Sequence, residues 1–434
     1  MNVSDRATKV DEELARLILS PRAYAEQTAL YAGFRRLRAT NPVGRVEVDG
    51  YDPFWAVTKH ADILEVSRQN DLFRNGGNAT VIRPRAEDDM LRLVRGAPNP
   101  FRLLTNMDAP DHFKYRRILQ GAFAPQKLQS LENRIRAIAG AAVDRMASHG
   151  AECDFARDVA LHFPLRVVME ILGVPEQDEP RMLKLTQAIF GSEDEDLRRE
   201  ARAAGDQAAR PGQLPGQLLD AVGDFEAYFA QLSEARRKDP RDDIATIIAH
   251  AEIDGAPIGR VEALSLYIII AIAGHDTTSS STSGAIWALC EHQGEFRKVR
   301  TDRSLIPKLV EEAVRYTSPV GHFMRTAAAD TQIRGRRIAR GDRLMLCYPS
   351  GNRDEEVFDE PDRFRVDRDA TRHVAFGHGA HVCLGQHLAR LEMRIFFEEL
   401  LPRLGSIELA GVPRRSASSF VGGPKTVPVR FKLN

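Results

Sequence analysis

The chain has 434 residues, of which 43% are hydrophobic and 28% charged, and its 61 Lys and Arg residues balance 61 Asp and Glu residues. These proportions are ordinary for a globular protein and exclude a collagen, a disordered chain or a disulfide scaffold. Balanced charge argues against nucleic acid or an anionic membrane as the main partner, because either would favour a basic excess. We therefore expect a soluble enzyme with a large core.

Two features bear on location. Residues 1–19 are charged and amphipathic and lack the apolar core of a signal peptide, so we expect a flexible N-terminal tail. The longest apolar run, Leu266–Ala273, is well short of the roughly 20 residues that span a bilayer. The cysteines show no CxxC spacing; they are Cys153, Cys290, Cys347 and Cys383. We expect a cytoplasmic protein without a membrane anchor.

In chain order, the first predicted elements are short strands, followed by an irregular stretch over Asn75–Asn106. Helical periodicity dominates from Pro125 to Tyr316, interrupted by Ser192–Gly216, whose Arg, Ala, Gly and Pro residues predict a mobile connection. The predicted strands are Arg45–Val48, Phe54–Thr58, Gln332–Ile338, Arg343–Leu346 and Val427–Leu433. This pattern predicts a mainly α protein with small β-sheets (α+β), forming a single domain over residues 1–434.

The most informative segment is the loop around Cys383, which runs from Phe376 to Gly385 and leads into an amphipathic helix. Glycines let such a loop turn sharply and approach a flat ligand. A thiolate at a helix N-terminus receives backbone N–H groups and the positive end of the helix dipole, which suits a ligand to iron. Two alternatives are a buried free cysteine and a zinc site, although the glycines and the uninterrupted helix suit neither. The zinc site would use the neighbouring histidines, His378, His381 and His387.

The pattern Phe376-Gly-x-Gly-x-His381-x-Cys383-x-Gly385 resembles the haem-binding loop of the cytochrome P-450 superfamily. The resemblance implies the P-450 fold, a single triangular helical domain around a buried haem b (iron protoporphyrin IX). It implies that Cys383 is the axial iron ligand, with Phe376 against its sulfur. His381 would hydrogen-bond a haem propionate, and Gly385 belongs to the same cofactor-binding loop.

A second polar cluster, Ala273-Gly-His-Asp276-Thr277, ends the longest apolar run. Alone it can simply mark a helix kink, in which the Thr277 hydroxyl bonds back to the carbonyl of Ala273. It is similar to the oxygen-activating motif of the family, in which a local helix opening makes a groove for O2. The resemblance implies that Asp276 and Thr277 are the catalytic acid–alcohol pair that relays protons.

Further segments match the family in its order along the chain. Glu312 and Arg315 alone would be an ordinary helical ion pair, but they stand where the family has its ExxR. There the resemblance implies a structural network completed by a downstream arginine, Arg363. His112 and Arg116 lie four residues apart, so they share a helix face and can both hydrogen-bond one haem propionate.

The remaining matches concern the haem and the substrate. Arg325 stands at the third propionate contact of the family, and Ala109 replaces a usual proline beside the His112 helix. Several stretches, including Ala273–Ser281, resemble the bacterial terpineol-hydroxylating branch. Positions that line the pocket in the family are uncharged here; they are Ile269, Ile272, Ala273, Gly321, Phe323, Phe420 and Val421. Because none could pair with a charged ligand, we expect a small apolar substrate and expect His322 to point away.

The resemblance implies a haem-thiolate monooxygenase that inserts one atom of O2 into a C–H bond of a monoterpenoid or an alkyl- or cycloalkyl-arene. Without a fused flavin or iron–sulfur segment, electrons would come from an iron–sulfur ferredoxin and its NAD(P)H-dependent reductase. We expect a monomer. One alternative is a peroxide-driven haem peroxygenase, which the acid–alcohol pair disfavours. The other is a non-catalytic haem-binding protein, which would need no proton relay.

Overall fold

The computed structural model describes residues 8–99, 101–190 and 216–434, and most of them are helical. The helices are α1 (Glu12–Leu19), α2 (Pro21–Glu26), α3 (Thr28–Thr40), α4 (His60–Arg68), α5 (Arg85–Arg95), α6 (Asp111–Gln120), α7 (Pro125–Ser130), α8 (Glu132–Ser148), α9 (His162–Leu172), α10 (Glu179–Phe190), α11 (Gly216–Lys238), α12 (Ile244–Ala249), α13 (Arg260–Ala273), α14 (Asp276–Glu291), α15 (Gln293–Thr301), α16 (Ile306–Thr317), α17 (Tyr348–Gly351) and α18 (Gln386–Arg403). Wherever the coordinates describe the chain, no helix combines the length and the apolar character needed to cross a membrane.

The strands form small sheets beside the helices. They are β1 (Val43–Val46), β2 (Phe54–Val57), β3 (Phe73–Arg74), β4 (Glu152–Asp154), β5 (Glu252–Ile253), β6 (Ala256–Pro257), β7 (His322–Ala327), β8 (Thr331–Ile333), β9 (Arg336–Ile338), β10 (Arg343–Cys347), β11 (Leu404–Leu409), β12 (Arg414–Arg415), β13 (Pro424–Thr426) and β14 (Pro428–Leu433). The largest sheet has the order β1-β2-β10-β7-β3, with β2 and β10 parallel and the other pairs antiparallel. A second sheet joins β11, β14 and β4. The predicted mainly α fold with small sheets is confirmed.

The core lies around α13 and α14, because α13 is apolar on nearly every side: Leu266, Tyr267 and Ile268 are all buried. Helix α14 packs against α16 and against the helical turn Phe155–Ala160. Helix α18 packs against α8 and α16. Helix α18 also contacts α14, where the Thr278 hydroxyl of α14 reaches Glu392 of α18.

The N-terminal segment corrects one expectation. Asp11 caps α1 by accepting from the N–H of Leu14 at 3.1 Å, and Leu14 and Ile18 are buried in a cluster with residues of α3. The N–H of Val10 donates to the Arg45 carbonyl at 2.9 Å. The apolar face of α1 is buried against α3, so the prediction of a flexible tail is wrong for residues 8–19. Residues 1–7 lie outside the described chain.

Other segments also differ from expectation. The stretch Asn75–Asn106 is not irregular throughout, since it contains α5. The predicted strand Gln332–Ile338 is a hairpin of β8 and β9, because Arg334 and Gly335 have φ angles of 48° and 72° and turn the chain back. The predicted mobile connection falls on residues that are not described, apart from Gly216, which begins α11.

Candidate active site

The Cys383 loop is shaped by its glycines. Gly377 and Gly379 have φ angles of 69° and 72°, a left-handed conformation that suits glycine. A Cβ built on Gly379 would collide with the backbone carbonyl oxygen of Ser67 in α4. The Cys383 N–H donates to the Phe376 carbonyl at 2.8 Å, which closes the loop just before α18 begins. These contacts fix the sulfur at the start of the helix, as predicted.

Cys383 is the only one of the four cysteines whose side chain is exposed. Its thiol is nevertheless surrounded by protein atoms. Burial raises the pKa of the Cys383 thiol, while the backbone N–H groups of Gly385 and Gln386 and the charges of Arg116 and Arg390 lower it. These donors and charges favour a thiolate. Burial likewise raises the pKa of Cys153 and of Cys290, to about 12, and there no positive charge or backbone N–H of the described chain acts against it.

The Phe376 ring lies between Arg390, whose Cζ is 4.5 Å from the ring centroid, and His373, whose ring centroid is 5.4 Å away. Glu311 accepts from both, with Arg390 Nη2 and His373 Nε2 each at 3.1 Å. Burial alone would raise the pKa of Glu311. The two hydrogen bonds and the Arg390 charge outweigh burial and lower this pKa to about 2. The aromatic ring beside the cysteine is thus flanked by a half-buried network of Glu311, His373 and Arg390, to which the sequence analysis assigned no role.

The predicted cation cluster comes together at this loop. The ring centroids of His112 and His381 are 4.0 Å apart, and the buried His112 Nε2 has no hydrogen-bond partner. Arg116 Nη2 donates to the Val382 carbonyl at 2.8 Å. Arg325, on β7, is buried and hydrogen-bonds the Tyr348 side chain. The sequence predicted all four of the clustered residues, but it did not predict Tyr348.

The cluster carries an excess of positive charge. Burial lowers the pKa of His381 to about 2, and the charges of Arg325, His112 and Arg116 contribute; burial also lowers the pKa of His112 to about 4. Both rings are therefore neutral near pH 7. No Asp or Glu in the described part of the chain forms an ion pair with Arg116 or Arg325. Two unpaired guanidinium groups and an unpartnered imidazole nitrogen fit the carboxylates of a flat anionic cofactor.

The helix opening predicted at the end of the apolar run is present. Helix α13 ends at Ala273 and α14 begins at Asp276, and the Thr277 hydroxyl donates to the Ala273 carbonyl at 3.1 Å. Gly274 is required at the opening, because a Cβ there would lie 2.6 Å from the Val168 side chain. Burial raises the pKa of Asp276, although His275 acts against it. The Asp276 carboxyl is thus disposed to hold a proton beside the Thr277 hydroxyl.

The ExxR network requires one correction. Glu312 and Arg315 are fully buried and make two bonds, Nε to Oε2 at 2.7 Å and Nη2 to Oε1 at 2.8 Å. The third member is Arg368, whose Nε donates to Glu312 Oε1 at 3.2 Å, and not Arg363. The side chain of Arg363 is exposed and lies beside Glu360. Arg363 joins the network only through its carbonyl, because its side chain points to the surface.

The residues predicted to line the substrate pocket separate into two groups. Phe323 and Phe420 have ring centroids 5.3 Å apart, and both are half-buried. Ile269 and Ala273, one turn apart on α13, retain accessible surface.

The other predicted lining residues, Ile272, Val421 and Gly321, are buried. Gly321 is small for a packing reason: a Cβ there would collide with the Ser419 carbonyl oxygen. His322 points away as predicted, since its Nδ1 contacts the Ser419 carbonyl at 3.0 Å and its Nε2 accepts from the Ile82 N–H at 3.0 Å.

One buried acid was missed by the sequence reasoning. Glu392 on α18 is 1% exposed and accepts from the Thr278 hydroxyl at 3.2 Å. Burial raises its pKa well above that of an ordinary glutamate, although the bond from Thr278 acts the other way. Its spacing from Leu388 and Phe396 was the available signal, because positions four residues apart share a helix face.

A cysteine at a glycine-rich loop before a helix, near an interrupted apolar helix and a cluster of unpaired cations, defines the class of haem-thiolate proteins. The sequence model of the family Cytochrome P450 matches residues 85–408, and the chain belongs to this family. Haem is the cofactor of the family, and its members catalyse oxygen-incorporating oxidation, so the chain is a cytochrome P450 monooxygenase.

Named relatives cover nearly the whole chain. Cytochrome P450-terp of a Pseudomonas species is 46% identical, over 98% of this chain and 99% of its own length. Linalool 8-monooxygenase of Pseudomonas putida is 35% identical, over 94% of this chain and 97% of its own. The crystal structure of CYP108D1 from Novosphingobium aromaticivorans superposes with a TM-score of 0.90 at 44% identity, covering 98% of this chain and all of that one.

Proposed function

We propose that the chain hydroxylates a small apolar molecule, a monoterpenoid or an alkyl- or cycloalkyl-arene, with O2 and with electrons from an iron–sulfur ferredoxin. The observation that carries the proposal is the opening between α13 and α14, where Asp276 and Thr277 lie next to accessible apolar positions of α13. Linalool 8-monooxygenase is named for a terpene substrate, which supports the substrate class.

In the proposed mechanism, Cys383 would supply the thiolate that holds the haem iron, and the backbone N–H groups of Gly385 and Gln386 favour its deprotonated form. Arg116, Arg325 and the neutral rings of His112 and His381 would hold the carboxylates of the haem. A Cβ on Gly385 would meet no protein atom within 4 Å, so the protein leaves open space at this position that the flat cofactor would occupy. When bound, the haem supplies the O2 chemistry that inserts one oxygen atom into a C–H bond.

The proton relay is assigned to Asp276 and Thr277. Burial raises the pKa of Asp276, which favours a proton on its carboxyl, and its buried Oδ2 has no hydrogen-bond partner. The Thr277 hydroxyl donates to the Ala273 carbonyl, which leaves its oxygen lone pairs available to accept a proton. Thr277 can then pass protons toward the reacting oxygen one at a time.

The substrate is oriented by apolar contacts alone. Phe323 and Phe420 provide aromatic faces, and Ile269 and Ala273 provide the aliphatic surface of α13. With His322 committed to Ile82 and the Ser419 carbonyl, these positions offer no partner for a charged substrate. Binding of an apolar molecule here excludes water from the relay.

The first experiment compares electron sources. Product is expected with NADH, a ferredoxin and its reductase under O2, and no product is expected with peroxide alone. Product with peroxide alone would instead favour the peroxygenase alternative. Absence of product under both conditions, with every substrate of the panel below, would favour a non-catalytic haem protein.

The second experiment tests the substrate class by spectral titration of the haem protein. We expect terpineol, other monoterpenoids and alkylarenes of similar volume to shift the haem from low to high spin. Long-chain fatty acids and steroids serve as the contrasting panel and should give no shift. A shift produced by the contrasting panel alone would overturn the substrate class and leave the haem-thiolate assignment intact.

A further inference from the structure

His275, the residue between Gly274 and Asp276, is fully buried at the opening between α13 and α14. Its Nε2 lies 2.7 Å from the backbone carbonyl oxygen of Leu161, just before α9. A carbonyl oxygen can only accept, so Nε2 must carry the hydrogen. This contact fixes both the orientation of the ring and the tautomer of its neutral form, and it leaves Nδ1 as the free position.

The free nitrogen is close to the acid of the proposed relay: His275 Nδ1 is buried, makes no hydrogen bond in this structure, and lies 3.4 Å from Asp276 Oδ1. The other carboxyl oxygen, Oδ2, is buried and has no hydrogen-bond partner. Across residues 8–99, 101–190 and 216–434, no Lys or Arg forms an ion pair with Asp276, so His275 is the basic group next to it. The geometry gives the two carboxyl oxygens different surroundings.

We propose that His275 is a positioning residue for Asp276, sharing one proton between Nδ1 and Oδ1 and thereby directing Oδ2 toward the Thr277 side of the opening. The proton resides on Oδ1 with Nδ1 accepting, or on Nδ1 with the carboxylate accepting. In both forms Asp276 is held in one rotamer. This inference rests on the proposed relay role of Asp276 and Thr277.

A purely structural role for His275 would depend on the Leu161 bond and not on Nδ1. Two variants separate the roles: His275→Gln can keep a donor near the Nε2 position and loses Nδ1, whereas His275→Asn keeps a polar group near the Nδ1 position and loses the Leu161 bond. We expect His275→Gln to turn over roughly tenfold more slowly, and His275→Asn to retain more activity. The reverse order, or equal activity in both variants, would overturn the proposal.

A double-mutant cycle provides the second test. We expect Asp276→Asn alone to slow turnover by roughly tenfold or more, and His275→Gln added to it to slow turnover no further. Independent, multiplicative losses would contradict the inference. If Asp276→Asn turns over normally, the proposed relay itself fails. If it is slow while His275→Gln turns over normally, only the role of His275 fails.

A readout that needs no turnover is the nitrogen NMR spectrum of the ferrous–CO protein labelled at its 12 histidines. The His275 signals are identified by their loss in His275→Gln. We expect a hydrogen on Nε2 and an Nδ1 resonance that moves when Asp276 is replaced by Asn. An Nδ1 resonance unchanged by that replacement would overturn the contact on which the proposal depends.

Discussion

Replacing Arg368 by Met tests which cation completes the network around Glu312. Besides its bond to Glu312 Oε1 at 3.2 Å, the Arg368 guanidinium donates to the carbonyls of Glu360 at 3.0 Å and Arg363 at 3.1 Å. Losing a bond to a buried charged group costs roughly 1.5–3 kcal/mol, and each unmet carbonyl adds about 1 kcal/mol where water cannot reach it. Because Arg315 still pairs with Glu312, we expect the free energy of unfolding to fall by about 3 kcal/mol.

The matched control is Arg363→Met. Its guanidinium is exposed and lies 3.4 Å from the exposed Glu360, a pair worth roughly 0.5 kcal/mol or less. Urea unfolding followed by far-ultraviolet circular dichroism measures both variants under one protocol. The unfolding entropy is roughly 2.1 cal/mol/K per residue over the 434 residues. With this entropy, the loss of about 3 kcal/mol expected for Arg368→Met corresponds to a Tm lower by about 3 °C. A control variant as destabilised as Arg368→Met would refute the assignment.

Three further outcomes are expected. Thr277→Ala should keep haem and substrate binding but divert NADH consumption from hydroxylated product to peroxide, and undiminished coupling would reduce Thr277 to a helix-kink residue. Burial lowers the pKa of His322 to about 4, so the free energy of unfolding should fall as the pH drops from 6.5 toward 4, where the unfolded chain binds a proton that the folded protein does not. In His322→Gln the free energy of unfolding should depend less steeply on pH over this range, and an equally steep dependence would contradict the assignment. Gly379→Ala should lose haem on gel filtration, because residue 379 has a φ of 72° and the added Cβ would collide with the Ser67 carbonyl oxygen. The control Gly140→Ala adds a Cβ within a helix, where no atom lies within 4 Å, and should retain haem.

The parts of the site predicted from sequence are those held together by local bonds. The Thr277 hydroxyl reaches the Ala273 carbonyl one turn away, so the helix opening follows from a short segment. The Cys383 loop is likewise closed by its own bond to Phe376. Spacing within one helix also sufficed for His112 and Arg116. These features depend on residues that are close in the chain and therefore visible in its pattern.

The parts that the sequence did not predict depend on partners distant in the chain. Arg363 and Arg368 lie in one irregular segment without periodicity, so nothing in the sequence distinguishes the exposed cation from the buried one. The prediction of a flexible N-terminal tail failed because α1 packs against α3, a contact that the sequence does not show. The charged residues of this segment were given more weight than the four-residue spacing of Leu14 and Ile18, which indicates a buried helix face. Position 321 has no room for a Cβ because the carbonyl oxygen of Ser419, almost 100 residues later in the chain, lies too close. This contact could not be predicted from an assignment of Gly321 to the substrate pocket.

The role of Cys383 is tested most directly by the absorption spectrum of the ferrous–CO complex. The unaltered protein should show the strongly red-shifted Soret band of a thiolate-ligated haem. Cys383→Ser should lose this band and the monooxygenase activity, whereas Cys290→Ser, at a buried cysteine in α14, should keep both. A Cys383→Ser protein that retains the red-shifted band and hydroxylates its substrate would contradict the thiolate assignment.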